Sequence, residues 1–358
     1  MAPSASRYAP LEPTYLGRSR RRERLASSEP WIFGRWSRYC PDCLAGDGSA
    51  IQRAHGGPWR KLWRLPPVFA CTVHRRLLHD LCPACRQPAA SLHHTSHPLV
   101  ASPLIDSLHP AQCRNPTRPG RAGTARPVCG TYLNRRIPPV QIGSDPRAAD
   151  ELLETQQHLL LLLDPLQPDK ALSCGQLTTG YRYFTDLRLI STLICITWPA
   201  AATLLSGTYA DTLDEHVNQR RDRIRRAQRT QRKVQAYALY DRPSSDSLQC
   251  AGLLTLADHL LHQDSHEQLQ ALIPRPAART WATHYLPAQT HCSPGLRTAA
   301  EPAVRIHRPR DRVGRPPQPD TANRFVRPRD HPRPTLLLDH DAVGFTHAHV
   351  PAYLPTAA

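Results

Sequence analysis

Several segments in the second half of the chain carry apolar residues at the spacing of an α-helix. Between 147 and 164, leucines recur with the period that places them on one side of a helix, and Gln156 interrupts them. A proline directly before this segment suits the first helical position. Together with 183–198 and 251–261, this pattern predicts an all-helical domain over 146–300.

Residues 189–210 contain no charged side chain and approach the length of a membrane span. The stretch is rich in serine and threonine, and Pro199 divides it. A buried helix that ends near Trp198, followed by a short second helix, explains this pattern better than a transmembrane span, which is the weaker alternative.

The segment 31–133 has a different character because cysteines cluster there. Around the break at Pro66 and Pro67, residues 59–74 favour short β-strands. The predicted fold is mainly α with small zinc-ribbon β elements, and a tandem zinc-binding module precedes the helical domain. The basic ends, 1–30 and 301–358, are predicted to be disordered.

The composition adds a strong positive charge. The chain has 358 residues, and 46 lysines and arginines against 29 aspartates and glutamates give a formal net charge of +17. Such a charge attracts polyanions, of which nucleic acid is the commonest and an acidic membrane surface the weaker alternative. The first residues contain no apolar core of a secretory signal, so we expect a cytoplasmic protein. There, the 11 cysteines are expected to be thiolate ligands or free thiols.

Three pairs of potential metal ligands recur with the same two-residue interval. Such a turn presents both side chains to one ion without straining the backbone, and a proline after the first cysteine stiffens two of the three turns. Pairing the turns in chain order predicts that the first two hold one zinc ion. The three pairs are Cys40 with Cys43, Cys71 with His74, and Cys82 with Cys85.

A second zinc site needs two more ligands beside Cys82 and Cys85, and Cys113 with Cys129 would supply them. This assignment is less specific, because Cys113 and Cys129 are far apart in the sequence. A cross-braced arrangement, in which the first and third pairs share an ion, also stays open. The rival ligands for the second site are His93, His94, His97 and His109.

Both zinc ions are predicted to be structural, and the protein is not expected to be an enzyme. A catalytic zinc keeps an open position for water beside a general acid or base, whereas four protein ligands close the shell. Neither the deaminase signature nor H-E-x-x-H surrounds these cysteines. A metal-dependent hydrolase therefore ranks below the non-catalytic interpretations.

The densest basic segment, 218–237, is predicted to be a helix with a narrow apolar side. Its excess of one charge sign slightly favours phosphate contacts over a merely solvated face. Near the first zinc site, Trp59 and Trp63 would stack on bases or, with more weight, pack a small core. The candidate nucleic-acid-binding residues are Arg220, Arg221, Arg223, Arg225, Arg226, Arg229 and Arg232, with Arg60, Lys61 and Arg64.

The stretches FGRWSRYCPDCLAGDG and WRKLWRLPPVFACTVHRRLLHDLCPACRQP together resemble the zinc-binding part of the TniQ/TnsD family. The order of CPxCL, a tryptophan-bearing segment ending in C-x-x-H, and CPxC is far more specific than a single C-x-x-C. A looser likeness continues through CGTYL, YFTDLRLISTL and CSPGLRTAA. The resemblance implies a Cys3His site at Cys40, Cys43, Cys71 and His74, and a second site at Cys82, Cys85, Cys113 and Cys129.

The resemblance also implies a function in transposition. Members of this family are DNA-associated adaptors that help to select an insertion site and recruit an AAA ATPase and a transposase. This sequence has no G-x-S-L-x-S-W-like motif before its first CPxC and ends soon after VPAYLP, which a chain shortened at both ends would explain. The leading hypothesis is a DNA-binding accessory protein, and the alternative is a protein–protein adaptor without strong DNA binding of its own.

Overall fold

The structure, a computed structural model, describes most of the chain between residues 31 and 307. Residues 1–307 form one compact unit. Residues 1–30 and 308–358 lie outside the described residues. The prediction of disorder is wrong for residues 301–307, which continue the helix Pro294–His307, and it stays a prediction for 1–30 and 308–358. The described residues are 31, 37–89, 108–117, 127–135, 138–139, 146–204, 207–230, 240–262, 267–288 and 291–307.

The fold is mainly helical, as predicted. In the described part of the chain, every helix longer than two turns begins at or after Pro146, and the last one ends at His307. The α-helices are α1 (Pro41–Ala45), α2 (Ala50–His55), α3 (Pro146–Leu162), α4 (Gly180–Thr197), α5 (Gly207–Arg229), α6 (Ser247–His262), α7 (Glu267–Leu272), α8 (Leu286–Ala288) and α9 (Pro294–His307).

Within the described residues, two small antiparallel sheets accompany the helices. The prediction of short strands over 59–74 is partly wrong, because a 3₁₀ helix occupies Lys61–Arg64. This turn directs Trp63 into the core, where 3% of its surface stays exposed. The strand pairs are β1 (Ala70–Cys71) with β2 (Arg76–Leu77), and β3 (Ala171–Ser173) with β4 (Gln176–Thr178).

Helix α3 buries its leucine side and the glutamine within it. Leu152, Leu159 and Gln156 have no exposed surface. The side-chain oxygen of Gln156 accepts hydrogen bonds from the backbone N–H groups of Phe69 (2.6 Å) and Ala70 (2.8 Å). The buried amide therefore joins α3 to the first strand of the cysteine-rich region, which explains a polar residue on an apolar helix side.

The uncharged stretch 189–210 is divided as predicted. Helix α4 ends at Thr197, and a 3₁₀ helix at Ala200–Leu204 follows Trp198 and Pro199. Helix α4 is buried on nearly all sides by the surrounding helices. None of the helices that the structure describes is both long enough and apolar enough to span a membrane.

A buried carboxylate joins two distant segments of the helical region. The Asp186 side chain accepts hydrogen bonds from the Ser173 hydroxyl (2.6 Å) and from the backbone N–H of Ser293 (2.9 Å). Burial raises the pKa of Asp186, and these hydrogen bonds partly offset that effect. The stretches YFTDLRLISTL and CSPGLRTAA, which are far apart in the sequence, meet at this carboxylate.

Arg38 connects the cysteine-rich region to the helical region. Its side chain is buried, and its guanidinium donates hydrogen bonds to the carbonyls of Pro66 (3.0 Å), Val68 (2.7 Å), Ser244 (2.7 Å) and Ser245 (3.2 Å). One hydrophobic core also extends through both regions. The two predicted domains thus share a core in the folded chain, and their separation stays a prediction.

Candidate metal centres

The structure brings Cys40, Cys43, Cys71 and His74 together, and we call these residues the first cluster. Their ligand atoms all lie within 4.8 Å of one another. Nδ1 of His74 is 3.5 Å from Sγ of Cys40, 3.3 Å from Sγ of Cys43 and 3.5 Å from Sγ of Cys71, and the last two sulfurs are 3.6 Å apart. A disulfide would bring two sulfurs to about 2 Å, so these residues are free to act as four ligands.

Two local structures present the ligands of the first cluster. Helix α1 follows the first cysteine, and Pro41 at its first position fixes the turn that carries the second. The β1–β2 hairpin carries Cys71 at the end of β1 and His74 in the following turn. Backbone hydrogen bonds of 2.8 Å between Tyr39 and His79 hold the helix and the hairpin side by side.

Cys82, Cys85, Cys113 and Cys129 form the second cluster, and their sulfur atoms also lie within 4.8 Å of one another. The sulfurs of Cys82 and Cys129 are 3.8 Å apart, as are those of Cys85 and Cys113. The backbone N–H of Cys113 donates to the carbonyl of Thr131 at 2.8 Å, so a short antiparallel pairing places the last two cysteines.

Both clusters have the dimensions of a tetrahedral metal site. Bonds of about 2.3 Å to sulfur and about 2.05 Å to nitrogen place two sulfurs about 3.8 Å apart, and a sulfur and a nitrogen about 3.5 Å apart. The sulfur–sulfur distances of 3.6 and 3.8 Å and the sulfur–nitrogen distances of 3.3 and 3.5 Å agree with these values. Each cluster could therefore hold one metal ion without rearrangement.

Electrostatics also favour a cation in each cluster. Hydrogen bonds with Cys40 and Cys43 lower the pKa of the Cys71 thiol strongly, whereas hydrogen bonds with Cys40 and Cys71 raise the pKa of Cys43. Burial raises the pKa of Cys129, but hydrogen bonds with Thr131, Cys82 and Cys85 together outweigh it and lower that pKa to about 7. One thiolate thus opposes the ionisation of its neighbours, and a divalent cation would remove this repulsion.

The ligand pairs combine in chain order, so the cross-braced alternative is wrong. His109 does not belong to the second cluster. Its Nδ1 accepts a hydrogen bond of 3.2 Å from the backbone N–H of Ala111, and its ring lies 5.5 Å from that of Tyr132. The other rival ligands, His93, His94 and His97, lie outside the described residues.

Comparison with known proteins gives one informative match. Residues 5–78 match the family model TniQ. The N-terminal segment that contains the first cluster is therefore similar to the TniQ family. TniQ domains occur in transposition systems, so the match implies a transposition-associated role in target selection. No curated protein and no solved structure matches the chain.

The TniQ match contains the whole first cluster and ends at Leu78, before the second cluster begins at Cys82. The helical region from Pro146 onward also lies outside the match. Interpretations of the second cluster and of the helices therefore rest on their own geometry.

The basic residues that follow the first two cysteines in the sequence are exposed to different degrees. Arg60 and Lys61 are exposed, and Arg64 is half-buried. Trp63 is buried and meets the ring of Trp59 edge to face at 5.9 Å. Both rings pack against the core, as expected if the two tryptophans pack a small core and do not stack on bases.

Two of the predicted nucleic-acid-binding arginines on helix α5 point into the protein. Arg220 is 5% exposed, donates a hydrogen bond to the backbone carbonyl of Arg242, and has its pKa lowered by burial. Arg221 is half-buried and donates to the carbonyl of Trp198 at 2.5 Å. These two side chains hold α5 against its neighbours and are poorly placed to reach a phosphate.

The other described arginines of α5 form an exposed face, which we call the α5 basic face. One of them, Arg225, lies 3.1 Å from Asp222 one turn earlier. Arg232 lies outside the described residues, as does the predicted continuation of the helix to 237. The α5 basic face consists of Arg223, Arg225, Arg226 and Arg229.

Sequence reasoning missed a third group of potential ligands. His158 on α3 lies beside Asp258 and His262 on α6, and their ligand atoms are within 4.8 Å of one another. The interval between Asp258 and His262 places both on one helix face, and this was the signal available in the sequence. Nothing local connects them to His158, which lies far away along the chain.

Proposed function

We propose that this chain is a DNA-associated, non-catalytic accessory protein that takes part in target selection in a transposition system. In this proposal, each of the two clusters holds one structural zinc ion. The partners are DNA together with the AAA ATPase and the transposase of the same system. The observation that carries the proposal is the coincidence of the TniQ match with the complete first cluster.

The ligand sets support a structural role for the metal. Three thiolates with one imidazole, and four thiolates, close a tetrahedral shell and leave no position for a reacting water. The carboxylate nearest in sequence to the first cluster, that of Asp42, is paired with Arg76 at 2.7 Å. Each ion would instead contribute folding energy, because it joins segments that are separate in the sequence, such as Pro41–Ala45 and the β1–β2 hairpin.

The α5 basic face supports the association with DNA. Its four arginines are exposed on the helix surface opposite to Leu213 and Val217, which are buried. Side chains on such a face can contact successive phosphates without reading bases, which gives binding that is sensitive to salt and insensitive to sequence. Arg60 and Lys61 offer a second exposed basic site beside the first cluster.

The first test combines metal analysis with DNA binding. Protein dialysed against a weak chelator, which removes exchangeable ions, should contain two zinc ions per chain, and Cys71→Ser should lose one of them, because a cluster with three remaining ligands binds zinc more weakly. A preparation without bound zinc would contradict the metal assignment.

DNA affinity should then be measured over a salt series. Each phosphate contact contributes about 0.9 to the slope of log affinity against log salt, so Arg226→Gln with Arg229→Gln should reduce the slope by about 2. The matched control, Arg275→Gln with Arg279→Gln, removes two exposed arginines outside α5 and should leave the slope unchanged. Binding that is indifferent to salt, or equal slopes in both double variants, would contradict the assignment of this face.

A protein–protein adaptor is the second candidate. It is favoured by the inward position of Arg220 and Arg221, which leaves fewer arginines exposed than the sequence suggests. Pull-down of the neighbouring ATPase with and without DNA separates the two functions. Capture that persists after nuclease treatment, with weak DNA affinity of the isolated chain, supports the adaptor.

A further inference from the structure

A cluster in the helical region has the composition of a metal site and belongs to neither cysteine cluster. Nδ1 of His158 lies 2.9 Å from Oδ1 of Asp258, and Nδ1 of His262 lies 3.7 Å from Oδ2 of the same carboxylate. Nδ1 of His262 also donates a hydrogen bond of 2.9 Å to the backbone carbonyl of Asp258, so Nε2 is the atom of this ring that would bind a metal. The two imidazole rings meet edge to face with centroids 4.9 Å apart. Two helices, α3 and α6, therefore direct two imidazoles and one carboxylate to one point.

Tyr183 fixes the carboxylate from a third helix. Its side chain is buried in α4, and its hydroxyl donates a hydrogen bond to Oδ1 of Asp258. The Tyr183 ring also packs edge to face against both imidazoles, at 5.4 Å from His158 and 6.0 Å from His262. In protein metal sites, a residue that hydrogen-bonds to a ligating carboxylate commonly fixes the orientation of that carboxylate.

A single ion pair would engage only one of the two imidazoles. One carboxylate pairs with one protonated imidazole, and a second imidazolium at this distance would be repelled by the first. Two neutral imidazoles and one carboxylate are instead the donor set that a divalent cation satisfies together. We propose that His158, Asp258 and His262 form a third metal site, which binds a divalent transition-metal ion.

The donor set defines which ions fit. Imidazole ligands favour zinc, cobalt, nickel and iron over magnesium and calcium, which prefer oxygen. Three protein ligands leave at least one position for solvent, unlike the four ligands of each cysteine cluster. The His158 and His262 side chains are 29% and 38% exposed, so an ion can enter from solvent and exchange.

The test uses the full-length protein with its cysteine clusters already loaded with zinc. Cobalt does not displace zinc from thiolate ligands readily, because zinc binds such sites more tightly. Added cobalt should therefore bind at about one further ion per chain, measured by equilibrium dialysis with elemental analysis. Its visible absorption should lack the intense sulfur-to-cobalt bands that a thiolate site would show.

Two variants and one control test the assignment. His262→Ala and His158→Ala should each lose the additional cobalt ion while the zinc content stays at two per chain. His259→Ala removes an exposed histidine of the same helix outside the cluster and should bind cobalt like the unmodified protein. Cobalt should also raise the Tm of the unmodified protein and of the control, because a ligand that binds the folded state stabilises it.

The proposal is overturned if the zinc-loaded protein binds no further cobalt, or if both histidine variants bind it as well as the His259→Ala control does. Circular dichroism keeps the result interpretable if one variant is unstable. If circular dichroism shows that either alanine variant is unfolded, His262→Gln is measured in its place, because the more exposed side chain of His262 tolerates a polar substitute. The cobalt measurement does not depend on DNA binding, so the third metal site can be disproved without affecting the proposed function.

Discussion

The buried Arg38 provides the most direct test of how the cysteine-rich region is joined to the helices. Replacing it with methionine keeps a long side chain but removes every donor to the four carbonyls. The two shortest hydrogen bonds, to Val68 and Ser244, are each 2.7 Å long. A hydrogen bond from a charged donor contributes about 1.5–3 kcal/mol, so these two alone predict a loss of about 3–6 kcal/mol.

This loss is a large part of the total stability of a folded domain, which is about 5–15 kcal/mol. Urea unfolding of zinc-loaded protein, followed by circular dichroism, measures it. The control is Arg223→Met on the α5 basic face, which should change the free energy of unfolding by no more than about 0.5 kcal/mol. A loss below about 1 kcal/mol in Arg38→Met would refute the reasoning that these carbonyls depend on Arg38.

Three further predictions concern single residues. In Gly57→Ala, the new Cβ would lie 1.8 Å from the carbonyl oxygen of Cys43, so one zinc ion per chain should be lost. Gly48→Ala meets no atom within 4 Å and strains the backbone only locally, at a φ of +82°, so it should keep both ions. Gln156→Leu leaves two buried N–H groups without their acceptor and should lower the free energy of unfolding by about 2–5 kcal/mol in urea titration, and a neutral result would contradict the role of its amide. Burial lowers the pKa of His216 to about 3, below the value of about 6.5 in an unfolded chain. The free energy of unfolding is therefore highest at high pH and falls as the pH drops below about 6.5, by about 2 kcal/mol at pH 5. His216→Gln should remove that part of the pH dependence in thermal unfolding, and equal pH profiles for the two proteins would show that His216 does not cause it.

The local features of this protein could be predicted from its sequence. The ligand intervals and the leucine period of α3 depend on backbone geometry over a few residues, and so does the break at Pro199. Such features are decided within one turn of the chain. The candidate ligands of both cysteine clusters could be named because each turn carries its own pair.

The relations between distant segments could not be predicted in the same way. A period marks Gln156 as part of an apolar side, but it cannot identify the N–H groups of Phe69 and Ala70 as its partners. The sequence alone does not tell whether Arg220 or Arg226 is buried, and the packing of α5 buries the first and exposes the second.

The sequence by itself therefore determined the helical class, the ligand pairs and the excess positive charge. The tertiary structure decided which pairs come together in one cluster, which arginines face solvent, and that His158 meets Asp258 and His262. The physical reason is that pairing and burial depend on contacts between residues that are far apart in the chain, and these contacts exist only once the core has formed.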